Sequence, residues 1–253
     1  MYDHLSAMGA VWGAQFGLEV PNYFAQSGEP DFEAPSFRRS NAWEAVKREV
    51  KAVRRAVGIN EVHNFSKFLV SGAQAHAWLD RIMAGRIPQA GRLSLTPMLS
   101  PKGKLIGDFT VSCIREGLFQ LTASYGSQAY HQRWFEQNME PGVTLQNISD
   151  QRTGFQIAGP KAAEVLQACT TANVADIKFL DVIELVVGST ACLVQQVSYT
   201  GDHGFEIYCD PMGQRALWDT LWEAGQPHGM APFGMRAMMS LRLDRFFGSW
   251  LSE

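Results

Sequence analysis

Long apolar runs are missing from this chain. Nowhere in its 253 positions do roughly eighteen apolar residues follow one another, so no membrane-spanning helix is expected. Cysteine is scarce and scattered. Cys113, Cys169, Cys192 and Cys209 form no CxxC pair, which argues against a zinc site or a redox couple. Each lies among apolar neighbours, the setting of reduced core thiols in a reducing compartment. The opening Met1-Tyr2-Asp3-His4 lacks the basic-then-apolar pattern of a secretory signal. A cytoplasmic location is expected, or the mitochondrial matrix if the source is eukaryotic. Excess charge is missing too: the formal net charge is −3, which predicts neither a nucleic-acid partner nor an acidic membrane surface. There is no GxGxxG, no P-loop, no GxSxG and no HExxH, so dinucleotide, nucleotide, serine-hydrolase and zinc-protease chemistry find no motif here.

What is present is enough apolar sequence, 46% of the chain, to bury a core of one large or two medium domains. Residues 1–40, with Pro21, Pro30 and Pro35 among aromatics, read as an extended segment laid on another surface. Trp43 to Val57 reads as an amphipathic helix: Trp43, Val46, Val50, Val53 and Val57 recur at helical spacing, and Lys47, Arg48, Lys51, Arg54 and Arg55 fill a solvated side. One arrangement then occurs twice. Phe68 to Ala75 and Phe155 to Ala162 are each a strand and a Gly turn (Gly72, Gly159), followed by helices over Ala75–Met83 and Ala162–Cys169. Between the copies, Ser100-Pro101-Lys102-Gly103 is a type I turn, and Lys104–Cys113 and Leu118–Ser124 are strands joined at Arg115-Glu116-Gly117. Further strands are expected at Val182–Val187, Ala191–Tyr199 and Phe205–Cys209, and helices at Gln214–Ala224 and Met235–Phe246. A soft boundary falls near Gly142 or Ser149. The chain closes on Arg245-Phe246-Phe247-Gly248-Ser249-Trp250 and Leu251-Ser252-Glu253, an apolar end that reads either as that of a fragment or as one that needs a partner surface.

Asp108 is the first candidate for chemistry. Alternation places it opposite Phe109 and Val111, and Asp is disfavoured within strands. It is either a carboxylate aimed into a cleft, able to stabilise a cation or move a proton, or an edge residue facing water. In Ser198-Tyr199-Thr200-Gly201-Asp202-His203-Gly204-Phe205-Glu206 two glycines permit a tight turn, and Glu206 alternates away from the apolar face. Glu206 is a ligand-binding carboxylate or a solvent-exposed one; His203 reads as a surface residue. In Met235–Arg245 the Met-rich stripe reads as core, while Arg236 and Arg242 either bind a carboxylate or pair with a neighbouring Asp.

Taken together these segments resemble the aminomethyltransferase family of the glycine-cleavage T-protein, and within it the folate-binding parts of dimethylglycine and sarcosine dehydrogenases. The residues that carry the resemblance are Gly9-Ala10-Val11-Trp12-Gly13 with Pro21-Asn22-Tyr23-Phe24, Phe37-Arg38-Arg39-Ser40-Asn41 and Phe65-Ser66-Lys67-Phe68. Further along they are Met98-Leu99-Ser100-Pro101-Lys102-Gly103, Gly107-Asp108-Phe109-Thr110-Val111, Gly159-Pro160, Ser198-Tyr199-Thr200-Gly201 with Gly204-Phe205-Glu206, and Arg236 with Leu241-Arg242-Leu243.

The resemblance implies an α+β fold of two related halves, 41–148 and 149–253 after the extended 1–40, without the family's C-terminal β-barrel domain. It implies tetrahydrofolate as cofactor, with FAD only on a separate or missing amine-oxidising module that supplies an iminium from a methylated amine. It makes Asp108 the catalytic carboxylate with Tyr199 beside it. Glu206 then grips the amino-pyrimidine edge of the pterin, and Arg236, Ser124 and Met98 line the folate site. Ser124 stands where many relatives carry Asn, and Gly58–Asn64 replaces a more usual Asp-x-Ser pattern. No metal site is implied. Competing readings are a folate binder without transfer, a demethylase of a sulfur or oxygen methyl donor, and a fragment acting only as an interaction surface.

Overall fold

The computed structural model describes residues 1–248 and Trp250; Ser249 and Leu251–Glu253, part of the apolar end noted above, lie outside the described residues. Residues 1–40 are more regular than their prolines suggest. Helix α1 (Tyr2–Ala7) leads into a hairpin of β1 (Ala10–Gln15) and β2 (Leu18–Phe24). Pro21 is tolerated because the register slips between Val11 and Trp12, where a ladder donor is dispensable.

Helix α2 (Trp43–Arg55) buries Val53 of the expected stripe together with Ala45 and Glu49, with Val46 and Val50 partly covered, while Trp43 is left exposed. The chain then turns at Ala56, and Val57 opens strand β3 (Val57–Glu61) instead of closing the helix. Strand β4 (Phe65–Ser71), helix α3 (Ala75–Ile82) and strands β5 (Arg92–Leu99), β6 (Leu105–Arg115) and β7 (Leu118–Ser124) follow. The Ser100–Gly103 turn closes with Gly103 N–H donating to Ser100 O at 2.8 Å. Helix α4 (Gln128–Gln137) and strand β8 (Thr144–Asn147) complete this half. The second copy of the repeat is β9 (Thr153–Ala158) and α5 (Ala162–Cys169). Strands β10 (Val182–Val187), β11 (Thr190–Gln195) and β12 (Gly204–Cys209), helix α6 (Gln214–Gly225), strand β13 (Met230–Pro232) and helix α7 (Met235–Leu243) end the chain.

Two main sheets result, in the orders β5-β6-β7-β4-β8 and β10-β11-β12-β9-β3-β13. The sheets do not follow the expected division near residue 149. Strand β3 lies before it, yet pairs with β9 and β13 in the second sheet. Each sheet turns one face to its own helices. Phe68, Phe109, Phe119 and Leu121 pack with Trp78, Leu79 and Phe135. Ile59, Phe155, Ile157, Phe205 and Ile207 pack with Val165, Leu166, Leu217 and Trp218. The remaining faces meet each other through Leu93, Val62, Val182, Leu193 and Tyr208. Leu93 N–H to Leu180 O and Val182 N–H to Gly91 O, both 2.9 Å, tie the two sheets at one edge. The layers run helix, sheet, sheet, helix. Among the described residues no helix is long and apolar enough to cross a membrane.

Candidate functional site

The polar faces of the two sheets oppose each other, and register decides which side chains they present. In the second sheet Val182, Gln195, Glu206, Gln156 and Asn60 stand side by side across five strands. Their chain neighbours Val194, Phe205, Ile207, Phe155 and Ile157 point the other way, into the helix-covered core. In the first sheet one row is Leu95, Thr110, Thr122 and Lys67, and another is Leu93, Ser112, Gln120 and Leu69. Two residues beyond the Thr110–Thr122 pair stand Asp108 and Ser124, on the same face.

The middle of this layer is charged and enclosed. Lys67 is fully buried, and burial pushes its ammonium down to about 8, with Glu206 and Asp150 opposing the shift. Glu206 accepts a 2.6 Å hydrogen bond from the Tyr208 hydroxyl, and the Thr122 hydroxyl meets the same phenol oxygen from the facing sheet. Burial raises the Glu206 carboxyl, with Tyr208 and Lys67 holding it back. Around them lie buried side-chain atoms without a hydrogen-bond partner among the described residues: both polar atoms of Gln195, Oε1 of Gln156 and Gln120, Oδ1 of Asn60 and Oγ of Ser112. Buried polar groups in folded proteins are nearly always paired, and leaving one unmade costs about 1–3 kcal/mol. Such a run marks the layer as polar and incompletely paired by the chain's own groups, the setting in which bound water or a polar ligand completes the bonds.

Asp108 sits at the rim of this layer, exposed by surface area yet shielded enough that desolvation raises its carboxyl, against a stabilising hydrogen bond from the Phe109 backbone N–H. The glycine before it has a packing cause: a Cβ on Gly107 would lie 2.4 Å from Nε2 of buried His131, which backs the strand from the core side.

Over residues 1–253 the chain matches the family described as the GCVT N-terminal domain. It belongs to the glycine-cleavage T-protein family. It is 35% identical over 255 residues to human mitochondrial dimethylglycine dehydrogenase, covering 99% of this chain and 29% of that protein. It is 31% identical to an aminomethyltransferase of Halalkalibacterium halodurans, over 79% of this chain and 56% of that protein. The chain thus spans well under two thirds of either relative. Its fold matches the crystal structure of the glycine cleavage system aminomethyltransferase T from Bartonella henselae with TM-score 0.81 at 21% identity, covering 98% of this chain and 62% of that one. Heterotetrameric sarcosine oxidase from Corynebacterium sp. U-96 gives 0.57 at 19% identity, covering 78% and 98%.

In this T-protein fold the residues singled out from sequence are only partly gathered. Asp108, Ser124 and Glu206 share the inter-sheet layer. Tyr199 does not lie in either sheet: its hydroxyl donates to Gly248 O at 3.0 Å and its ring stacks near Phe247, over a cluster with Val20, Phe233 and Met235. That cluster adjoins the layer through Asn64, whose Nδ2 meets Met235 Sδ at 3.5 Å beside Phe65, the partner of Ser124. Arg236 is drawn elsewhere: it ion-pairs with Glu33 at 3.0 Å and lines a recess of about 640 Å³ with Trp12, Asn22 and Asp31. Met98 is fully buried and pairs with Gly107 on the helix-covered face, packed in the core with Phe109 and Phe135, so it has no surface to offer a ligand. His203 is engaged with Gln196 Nε2 at 2.8 Å. All four cysteines are buried and free. Among the described residues no group of three or more His, Cys, Asp or Glu is placed to hold a metal ion.

Sequence reasoning passed over Lys67, Gln195 and Gln156. The signal was present: each is a long polar side chain inside a strand, at the position alternation assigns to the face away from the helices.

Proposed function

We propose that this chain carries tetrahydrofolate-dependent one-carbon transfer within a dimethylglycine or sarcosine dehydrogenase-like system. The one-carbon unit comes as an iminium from a methylated amine, oxidised by an FAD-containing module on the same or another chain. The observation that carries the reading is the enclosed Lys67–Glu206–Gln195–Gln156 layer, ending at Asp108. The donor set fits the cofactor: a pterin offers adjacent N–H donors that a carboxylate such as Glu206 accepts as a pair, and the partnerless amides supply further donors and acceptors. When bound, tetrahydrofolate supplies nucleophilic nitrogens that take up the one-carbon unit.

The chain's own residues orient and stabilise. Glu206 fixes the pterin edge. Asp108, half-shielded from water, places negative charge where a cationic donor and a developing ammonium need it, and in a site of lowered dielectric that charge acts strongly. Its raised carboxyl pKa also suits it to hold and return a proton. Ser124 shares the face of the sheet that carries Asp108, Tyr199 lies in the adjoining cluster, and Met98 and Arg236 keep structural roles in the core and at the Glu33 ion pair. The human relative's mitochondrial naming supports the matrix as location for a eukaryotic source, and the cytoplasm otherwise.

Asp108→Asn tests the reading. With the amine-oxidising partner supplied, the variant should keep tetrahydrofolate binding and its melting temperature while methylene transfer falls about 10²- to 10⁴-fold. Transfer at the parental rate removes Asp108 from the mechanism; no transfer by the parent chain itself would leave a demethylase or a binder as the better description.

A further inference from the structure

The end of β6 that carries Asp108 is weakly held by its own sheet. The ladder with β7 begins at Thr110 and does not reach Asp108. On the other side Asp108 faces Pro97, which has no N–H and whose carbonyl turns outward to accept from Ala84 N–H at 2.8 Å. Asp108 therefore makes no ladder bond to β5 either. Just before it the register slips. Met98 pairs with Gly107 and Leu99 with Leu105, so Ile106 is an extra residue with no partner across the ladder. Ile106 packs in the helix-covered core, and a side chain on Gly107 would point there too. Two consecutive positions turned the same way make a β-bulge, which bends the strand and leaves backbone groups to be satisfied elsewhere.

His131, on α4, supplies a partner. It is 0% exposed, and its Nε2 lies 3.2 Å from Ile106 O. Only a protonated Nε2 can bond a carbonyl, so this nitrogen is the donor, and burial keeps the ring neutral by pushing its pKa down to about 4. Nδ1 is then a bare acceptor, buried and without a hydrogen-bond partner among the described residues. The rings of Phe109, Trp250 and Tyr130 surround the imidazole, with centroids at 4.7, 5.2 and 5.8 Å. In such surroundings a phenylalanine would fill the space without burying an unpaired nitrogen. What a histidine adds is the bond to Ile106. Gly107 makes room for it, since a Cβ there would come 2.4 Å from Nε2.

We propose that His131 is a positioning residue for the Asp108 carboxylate, on which the transfer reading above depends: its Nε2–H takes the carbonyl of the bulged Ile106, pins the strand end to α4 and so fixes where Asp108 leaves the ladder. The Phe109 backbone N–H, on the next peptide, then meets the Asp108 carboxyl and sets its direction. His131 acts through the backbone and from the core side, opposite the face that carries Asp108.

The test compares His131→Phe, which keeps a ring and loses the donor, with His131→Gln, whose amide N–H can reach the same carbonyl. Carbon-13 NMR titration of the Asp108 carboxyl in the whole chain needs no cofactor. In the parent, Asp108 should titrate above the ordinary aspartate range, as its shielding requires. In His131→Phe it should fall back toward that range as the carboxyl swings into water, and His131→Gln should restore most of the parental value. With the amine-oxidising partner supplied, His131→Phe should lower the turnover of methylene transfer about 10- to 100-fold, the scale of a roughly 1 Å misplacement, with the KM for tetrahydrofolate unchanged. If His131→Phe does not fold, Gly107→Ala, which presses on the imidazole from the strand side, should give the same two changes. A folded His131→Phe with the parental Asp108 titration and turnover overturns the proposal and leaves the folate reading standing. A parent chain without transfer overturns the folate reading, while the Asp108 titration still decides the role of His131.

Discussion

Two carboxylates are held where water hardly reaches them, and their titration should show in the stability of the whole chain. Glu61, at the end of β3, takes one hydrogen bond from Gln214 Nε2 at 3.0 Å, and burial pushes it up to about 7. Glu49 staples α2 to the backbone N–H groups of Phe24 and Gly234, at 2.6 and 2.9 Å, and burial again lifts it to about 7. A carboxyl whose folded pKa exceeds its unfolded one stabilises the fold when protonated. That contribution is complete below the unfolded value near 4.5 and disappears as pH rises through about 7. Glu61→Gln keeps an acceptor for Gln214 and removes the titration. Its unfolding free energy should match the parent's near pH 4 and exceed it by about 3 kcal/mol at pH 8, from the size of the shift. Urea midpoints taken across that range would check it; a gap that does not change with pH would mean Glu61 ionises as freely folded as unfolded. At this scale the sequence showed Asp108 and Glu206 but not Lys67 or Gln195, since a polar residue in a strand carries no mark of what the opposing sheet places over it.

At the scale of elements, the duplicated strand–glycine–helix unit was legible because its glycines do the same thing twice. Gly72 has φ +126° and Gly159 φ +131°, in a region open to glycine and strained for other residues. Both also lie against backbone: a Cβ on Gly159 would come 2.4 Å from Val53 O and 2.5 Å from Ala56 O. Gly159→Ala should therefore cost upwards of about 2 kcal/mol in thermal or chemical denaturation. Gly103, at φ +71° with open space around it, is the control: Gly103→Ala should cost only about 1 kcal/mol, the left-handed penalty alone. Equal losses would show that backbone conformation, and not the close approach, governs the first position. Strands β6, β7, β10 and β12 were readable from alternation. Strand β5 was not, because Pro97 breaks its pattern; it survives at the sheet edge, where a missing N–H costs no ladder bond. The β1–β2 hairpin was missed for the same reason at Pro21.

At the scale of the molecule, the two sheets do not stand as independent halves. Strand β3 crosses between them in sequence, and Leu193, Leu93, Val182 and Tyr208 form a shared apolar plug between their polar faces. Leu193 is 3% exposed. Leu193→Ala should cost about 2–5 kcal/mol. Because the plug belongs to both sheets, circular dichroism and tryptophan fluorescence, reporting on Trp78 in one half and Trp218 in the other, should shift together as one transition. Separate midpoints for the two probes would mean the halves unfold singly.

Sequence by itself determined the class of the fold, the repeat, the free buried thiols and the family, because glycine positions, strand alternation and short motifs are properties of neighbouring residues. Tertiary structure alone decided which polar side chains meet. A slip of one residue turns a strand's side chains to the other face; the register that pairs Thr96 with Phe109 and Met98 with Gly107 is what turns Met98 into the core. Pairings across nearly a hundred positions, such as Asn60 with Gln156, gather one polar row from remote segments, and stacking the second sheet upon the first brings Glu206 opposite Lys67. No local pattern encodes these, since the burial that gives them their chemistry comes from the opposing sheet.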